Sequence, residues 1–382
     1  MDDSRPDMYK YYDQLMIHLN NNESVFFNNK LVYPRQLEIH LPANHIRSCN
    51  LNCPYCAGRY FTKKLGNWEL DALELLNNLR GSIPYHIYGG AYTEPLLNPY
   101  YLTFLATTKK YGNHFGIHTN GVLLNWLEEN QGWLTELNRI STDEVDYLSI
   151  SIDAGTALDW AYTKGIGDCS LFYHITNGIK KACNIRKKNK KNKKNKNSSH
   201  AIRLCYLISP ETGNYYNFQS IVNIAKENGV DSLRFSIPFA NYNQCFDDVG
   251  KYRNNVETPR NIEYAEILKD FLSTSKNEVP YIFYTGPEFT DIDKFNFNKC
   301  IYGYYQITLG ADGYIYKCST TATPTAKHCR LGKITSNLDE FNNMIVQNAN
   351  PNWDCQTMCF DKGLRCNRMG LEINKQYSEI NK

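Results

Sequence analysis

The sequence predicts an α/β protein built on a parallel sheet, either a β/α barrel or an open fragment of one. Six short segments with strand composition alternate with segments whose apolar residues recur at helical spacing. Alternation of this kind implies parallel strands joined by right-handed crossovers. The 382 residues are enough for one large domain and a smaller one.

The predicted elements follow one another in a regular order. The strands are expected at 37–41, 85–88, 115–118, 147–153, 201–208 and 232–239. The helices between and after them are expected at 68–80, 99–111, 122–139, 171–185, 217–227 and 261–272. Further along, residues 307–316 predict a hairpin around an Ala-Asp-Gly turn, and residues 338–346 predict a helix.

The composition is that of an ordinary soluble globular protein, with 42% hydrophobic and 21% charged residues. No apolar run reaches the ~18 residues that a membrane span needs. The first ten residues are polar and acidic and contain no signal-peptide core. Thirteen cysteines without a secretion signal indicate metal or redox use in a reducing compartment. We therefore expect a cytoplasmic protein.

The formal net charge of +3 is unevenly distributed. Residues 186–196 contain eight basic side chains and no acidic one, and without them the net charge falls to −5. A nucleic-acid footprint over the whole domain is therefore not supported. Blocks of like charge are usually solvated and irregular, so residues 186–197 are predicted to be a flexible loop. The alternative is an arm that contacts an acidic partner.

Three cysteines follow the first predicted strand, with the spacing C-x3-C-x2-C: Cys49, Cys53 and Cys56. Thiolates are the usual protein ligands of iron–sulfur clusters, and three of them leave one iron of a [4Fe–4S] cube open. The alternatives are buried thiols or a zinc site. A zinc site needs a fourth ligand, such as the distant Cys169 or the nearby His45.

Polar or glycine-rich motifs also end the next three predicted strands. Gly89-Gly90 follows the second strand, Thr119-Asn120-Gly121 follows the third, and Asp153 ends the fourth. β/α barrels place their chemistry at the carboxyl ends of the strands. The four motifs therefore predict one functional site at this edge of the sheet.

On these residues, and with the aromatic Tyr55 before the last cysteine, the sequence resembles the radical S-adenosylmethionine (SAM) superfamily over about residues 35–275. The resemblance implies a partial (β/α)6 barrel in which the three cysteines hold a [4Fe–4S] cluster and Tyr55 packs near the adenine of SAM. It also implies that one-electron reduction by the cluster cleaves SAM to methionine and a 5′-deoxyadenosyl radical. This radical takes a hydrogen atom from a substrate C–H bond.

Further residues of this chain resemble the SAM-binding elements of the family. Gly89, Gly90, Glu94 and Pro95 resemble the family's Gly-Gly-Glu-Pro element, which receives the methionine amino group. Three residues intervene here, so either the strand end is longer or Thr93 and Glu94 reach in from a displaced turn. The resemblance also implies that four polar residues contact the ribose and carboxylate of SAM. These are Thr119, Asn120, Ser151 and Asp153, with helix capping by Asn120 and Asp153 as the alternative.

The C-terminal third contains six cysteines and resembles the SPASM/twitch extension, which carries auxiliary iron–sulfur clusters in this superfamily. The count is one cysteine short of the full SPASM pattern. We therefore expect one auxiliary cluster, with a structural zinc site as the alternative. Its predicted ligands are Cys300, Cys318 and two of Cys355, Cys359 and Cys366. Cys329 is predicted to be a spare thiol or a hydrogen donor facing the site, and Cys245 could face the substrate.

These expectations divide the chain into an N-terminal extension (1–36), a radical SAM barrel (37–275) and a SPASM/twitch-like domain (276–382). The predicted substrate is a peptide or a small metabolite, although 36 residues before the first strand are few for a leader-binding domain. Arg203 and Arg234, on the fifth and sixth strands, could hold a carboxylate or phosphate or could form internal salt bridges.

The expected reaction is an oxidation, a bond formation or an epimerisation, with a flavodoxin- or ferredoxin-type electron donor. Two other functions compete with it: a non-catalytic zinc-stabilised binding protein, and a radical SAM enzyme that modifies RNA. Neither a membrane nor a nucleic acid is the expected partner.

Overall fold

The structure is a computed structural model that describes residues 31–43, 48–54, 56, 68–90, 92–142, 145–192, 199–236, 259–275, 279, 281–285, 306–322 and 327–348. The six predicted strands are all present, and their order along the chain is confirmed. They are β1 (Gln36–Ile39), β2 (Tyr85–Tyr88), β3 (His114–Thr119), β4 (Tyr147–Ser151), β5 (Ala201–Leu207) and β6 (Ser232–Ser236).

Four more strands extend this sheet at its two ends, so the sheet is larger than the six strands predicted for it. They are β7 (Tyr281–Thr285), β8 (Gln306–Leu309), β9 (Tyr314–Tyr316) and β10 (Arg330–Lys333). The strand order is β10-β9-β8-β1-β2-β3-β4-β5-β6-β7. From β8 to β7 all neighbours are parallel, whereas β9 and β10 are antiparallel to their neighbours.

The predicted hairpin is confirmed as β8 and β9, but its first strand also pairs in parallel with β1. This pairing joins residues about 270 positions apart, which no local pattern in a sequence can indicate. Residues after 276 therefore contribute strands to both ends of the sheet. The division into a barrel and a separate C-terminal domain stays a prediction.

The helices of the described residues lie between these strands and after them. They are α1 (Glu69–Leu79), α2 (Tyr101–Lys110), α3 (Leu124–Gln131), α4 (Trp133–Ile140), α5 (Ala157–Lys164), α6 (Leu171–Asn192), α7 (Tyr215–Asn228), α8 (Pro259–Ser275) and α9 (Leu338–Asn348). The helix predicted at 122–139 is two helices, because Gly132 adopts φ +62 and ends the first of them in a left-handed turn. α5 was not predicted.

Helix α6 continues into the lysine-rich segment as far as Asn192, so residues 186–192 are helical instead of a loop. Lysine favours helices, and Arg186 anchors this part of the helix. The Arg186 side chain is buried, forms an ion pair with Asp231 and donates a hydrogen bond to the Gly229 carbonyl at 2.6 Å. Within the described ranges, we find no helix with the length and apolar character of a membrane span.

The two faces of the sheet differ in chemistry because side chains alternate along each strand. On β1, Leu37 and Ile39 belong to the hydrophobic core that the sheet shares with its helices. The opposite, inner face is polar next to β8. There, Glu38 accepts a hydrogen bond from Gln306 and faces His40 Nε2, each at 2.8 Å.

Candidate active site

The cysteine loop lies at the carboxyl edge of the sheet, directly after β1, and is attached to the segment that follows β2. The carbonyl of Ser48 accepts hydrogen bonds from the amides of Ala43 at 3.3 Å and Glu94 at 3.0 Å. Within the loop, the Cys56 amide donates to the Cys53 carbonyl at 3.0 Å. These bonds place the predicted cluster ligands beside the predicted SAM-binding segment.

Cys49, Cys53 and Cys56 are partly exposed cysteine thiols. The Cys49 sulfur accepts hydrogen bonds from the Leu51 amide and from Asn120 Nδ2, each at 3.5 Å. Burial raises the pKa of Cys49 to about 12, and Glu94 and the other two thiols add to the rise. The three thiols therefore lie within electrostatic range of one another.

Three thiols on one loop are the donor set that suits an iron–sulfur cluster with one open iron. No group of three histidine, cysteine or acidic side chains in the described part of the chain is arranged to hold a single metal ion. The positive charge of bound iron would offset the effects that raise the pKa of Cys49.

Glu94 connects the predicted residues of β3 to the loop. Its carboxylate is 1% exposed and accepts hydrogen bonds from Thr119 Oγ1 at 2.7 Å and from the Asn120 amide at 2.8 Å. A third bond comes from the Leu96 amide at 3.2 Å. Burial raises the pKa of Glu94 to about 7, although these three bonds act to lower it. A carboxylate has about four acceptor positions, so one further donor can bind here.

Gly89 and Gly90 are required by packing inside the protein. Gly89 adopts φ +116, and a Cβ at this position would clash with the carbonyl of His118. A Cβ at Gly90 would clash with the ring of the buried His40. The glycines therefore bring the end of β2 close to the ends of β1 and β3.

Tyr92, in the three-residue insertion before Glu94, packs against the C-terminal part of the chain. Tyr92 is buried, and its hydroxyl donates a hydrogen bond to the Ala322 carbonyl at 2.9 Å. Thr93 is also buried, and its Oγ1 has no hydrogen-bond partner among the described residues. A buried polar atom without a partner beside Glu94 is consistent with a polar ligand at this position.

Asn120 links β3 to the cysteine loop. Its Nδ2 donates to Asn50 Oδ1 at 2.8 Å, and its Oδ1 accepts from the Val122 amide at 3.0 Å. The bond to Val122 closes a turn ahead of α3, which begins only at Leu124. Helix capping, the alternative role for Asn120, is therefore not what this side chain does.

Asp153 is also not a helix cap, because Thr156 caps α5. Asp153 adopts φ +57, accepts a hydrogen bond from the Leu207 amide at 2.7 Å and forms a buried ion pair with Lys164. Ser151, the other predicted residue of β4, is partly exposed on the inner face.

Lys164 is a buried residue of the site that the sequence did not predict. Burial acts to lower its pKa, but the charges of Asp153, Cys53 and Cys49 outweigh burial and the pKa is raised. The end of α5 contacts the loop, since a Cβ at Gly165 would lie 2.7 Å from the Asn52 carbonyl oxygen. Lys164 therefore places a positive charge beside the thiols.

Two of the predicted C-terminal cysteines are described. Cys318 is partly exposed and Cys329 is 2% exposed. Burial, with a contribution from the Cys318 charge, raises the pKa of Cys329 to about 12, so the two thiols lie near each other. The remaining predicted site residues lie outside the described residues: Tyr55, Cys245, Cys300, Cys355, Cys359 and Cys366.

The sequence matches a known family model over part of its length. Residues 43–192 match the family model described as "Radical SAM superfamily". No curated protein matches the sequence.

Among solved structures, Streptococcus suis SuiB bound to its precursor peptide SuiA is similar with a TM-score of 0.57 and 13% identity, over 97% of this chain and 77% of that one. A second SuiB structure gives a TM-score of 0.50 and 14% identity, over 81% of this chain and 65% of that one. Histidine-tagged anSMEcpe with bound AdoMet gives 0.50 and 15%, over 84% and 81%.

At these identities the structural similarity shows the fold alone, and the chain spans 65% of the length of the first SuiB structure. The family match begins after β1 and ends with α6, and it includes the cysteine loop, Glu94, Asn120 and Lys164. Members of this superfamily are enzymes, and the family implies a [4Fe–4S] cluster and SAM. Residues 43–192 therefore match a radical SAM domain.

Proposed function

We propose that this protein is a radical SAM enzyme of the SPASM/twitch type that abstracts a hydrogen atom from a peptide or small-metabolite substrate. The observation that carries the proposal is the loop of three thiols, hydrogen-bonded to Asn120 at the carboxyl edge of the parallel sheet. When bound, the cluster and SAM supply the reductive cleavage that yields a 5′-deoxyadenosyl radical.

The chain's own residues hold and tune the cluster ligands. Cys49, Cys53 and Cys56 are the proposed ligands. The Leu51 amide and Asn120 Nδ2 donate hydrogen bonds to the Cys49 sulfur, which stabilises the thiolate. Lys164 adds a positive charge that favours the thiolate forms of Cys49 and Cys53.

Glu94 is the proposed acceptor for the methionine ammonium group. An ammonium group near this carboxylate would lower a pKa that burial raises to about 7. Thr119 is already engaged with Glu94, and Asp153 with Lys164. Of the polar residues proposed to contact the ribose and carboxylate, the partly exposed Ser151 is therefore best placed for direct contact.

A peptide substrate is supported by the similarity to SuiB, whose structure was solved with its precursor peptide. We further propose one auxiliary cluster held by Cys300, Cys318 and two of the three last cysteines, with a flavodoxin- or ferredoxin-type electron donor. The net reaction would be an oxidation, a bond formation or an epimerisation in the cytoplasm.

The test is anaerobic reconstitution with iron and sulfide, followed by dithionite and SAM. Wild-type protein should bind iron and sulfide and release 5′-deoxyadenosine. Cys53→Ala should abolish release, and Cys183→Ala, which removes a buried thiol on α6, should not. A colourless protein that binds only zinc and leaves SAM intact contradicts the proposal.

A further inference from the structure

Two arginines lie on the inner face of the sheet, beside the proposed SAM site. The pairing of β5 with β6 places Arg203 opposite Ser232 and Cys205 opposite Arg234. The two arginines are therefore diagonal neighbours on one face. Leu204 and Leu233, the residues that alternate with them, are fully buried in the helix-covered core.

Arg203 is held in one orientation by its neighbours. Its guanidinium carbon lies 4.0 Å from the centroid of the Tyr147 ring. The Tyr147 hydroxyl in turn lies 2.9 Å from His118 Nε2 on β3. A guanidinium stacked on an aromatic ring is preorganised, so less side-chain freedom is lost when it binds an anion.

Arg234 carries a charge that no described residue compensates. Its Nε is buried without a hydrogen-bond partner, and it forms no ion pair with a described side chain. Two acidic groups near this face in the described part of the chain are already engaged, Glu38 with His40 and Asp153 with Lys164. The Arg234 side chain as a whole is partly exposed, but leaving its buried Nε without an acceptor is costly, and an anionic ligand would supply that acceptor.

The position of the two arginines relates them to the chemistry of the site. Arg234 lies two residues before the end of β6, and Arg203 lies four residues before the end of β5. The amide at the end of β5, that of Leu207, is hydrogen-bonded to Asp153, which pairs with Lys164 beside the cysteine loop. A group bound by both arginines would lie on the same inner face as the proposed cofactor site.

We propose that Arg203 and Arg234 form an oxyanion-binding subsite for the substrate, which therefore carries a carboxylate or a phosphate group. The inference rests on the proposed function, because only the radical reaction makes this face a substrate site. Two guanidinium groups suit either anion, since each presents a planar fork of N–H donors.

The test is isothermal titration calorimetry on reconstituted protein with three probes: glutarate, its uncharged counterpart glutaramide, and inorganic phosphate. Each titration is run with and without SAM. The variants are Arg203→Gln, Arg234→Gln and Arg234→Lys. Arg139→Gln is the control, because it removes an equal charge from an exposed pair with Glu136 on α4. Thermal unfolding shows whether each variant is folded.

Wild-type protein should bind glutarate or phosphate at millimolar concentration and should not bind glutaramide. The tighter of the two anions identifies the substrate's group. Arg203→Gln and Arg234→Gln should each weaken binding about 10- to 100-fold, the range expected for a lost charged hydrogen bond. Arg234→Lys should lose less, and Arg139→Gln should not change binding.

Equal binding of glutaramide, or unchanged anion binding by folded Arg234→Gln, overturns the proposal. Displacement of the anion by SAM also overturns it, because the cofactor's own carboxylate would then occupy the subsite. Wild-type protein that cleaves SAM but binds neither anion overturns the subsite alone. Wild-type protein that binds an anion but never cleaves SAM refutes the proposed function, and with it the substrate assignment.

Discussion

Replacing Lys164 by methionine should destabilise the protein strongly. The Lys164 and Asp153 side chains are only 3% and 5% exposed, and they form an ion pair beside the cysteine loop. Methionine fills a similar volume without the charge. Asp153 would then keep its hydrogen bond from the Leu207 amide but would lose the charge of Lys164.

The expected loss in unfolding free energy follows from the burial of this ion pair. Removing one member of a buried ion pair leaves an uncompensated charge, which costs about 3–5 kcal/mol. The pair between Lys181 and Glu129 is a matched control, because its side chains are 34% and 54% exposed. Breaking an exposed pair of this kind costs about 0.2–1 kcal/mol.

The assay is urea unfolding of Lys164→Met and Lys181→Met beside the wild-type protein. A double variant, Lys164→Met with Asp153→Asn, should be more stable than Lys164→Met, because it removes the uncompensated charge. Asparagine tolerates the left-handed backbone that Asp153 adopts. Equal costs for Lys164→Met and Lys181→Met, or no recovery in the double variant, would refute the reasoning.

Three further changes test the packing around the site. Gly90→Ala should cost about 1–3 kcal/mol in unfolding free energy, because its Cβ would clash with the buried His40 ring. The control Gly167→Ala, which has open space around it, should cost less than about 1 kcal/mol. Burial lowers the pKa of His86 to about 4. The unfolded chain therefore binds more protons than the folded protein between about pH 4 and 6.5. The free energy of unfolding should fall by about 2–3 kcal/mol as the pH drops through this range, and His86→Gln should flatten that dependence. Tyr92→Phe should lose about 0.5–1.5 kcal/mol with its buried hydrogen bond, as measured by urea unfolding, and no loss would contradict a structural role for that hydroxyl.

Local patterns in the sequence were sufficient to predict β1 to β6 and most of the helices between them. Each predicted strand is a short apolar run ahead of a turn, and the parallel order follows from the alternation with helices. β7 was missed because the run Tyr281–Thr285 is short and follows a helix predicted to close the series. The pairing of β8 with β1 is set by contacts between distant residues.

The candidate site also contains some features that local sequence patterns predict and others that depend on contacts between distant residues. The sequence predicted that the cysteine loop, Glu94 and Asn120 would lie at one edge of the sheet, and the structure brings them together. Lys164 could not be predicted, since lysine is rarely buried and its burial here depends on Asp153 and on the fold of α5. The roles of Asn120 and Asp153 as linking residues are likewise set by partners distant in sequence.

Electron paramagnetic resonance of the dithionite-reduced protein, recorded with and without SAM, tests the central claim most directly. That claim is that three thiols on one loop hold a cluster with one iron open to SAM. The spectrum of the wild-type protein should change when SAM is added, and Cys53→Ala should lose the SAM-sensitive signal. A wild-type spectrum that SAM leaves unchanged would contradict the account.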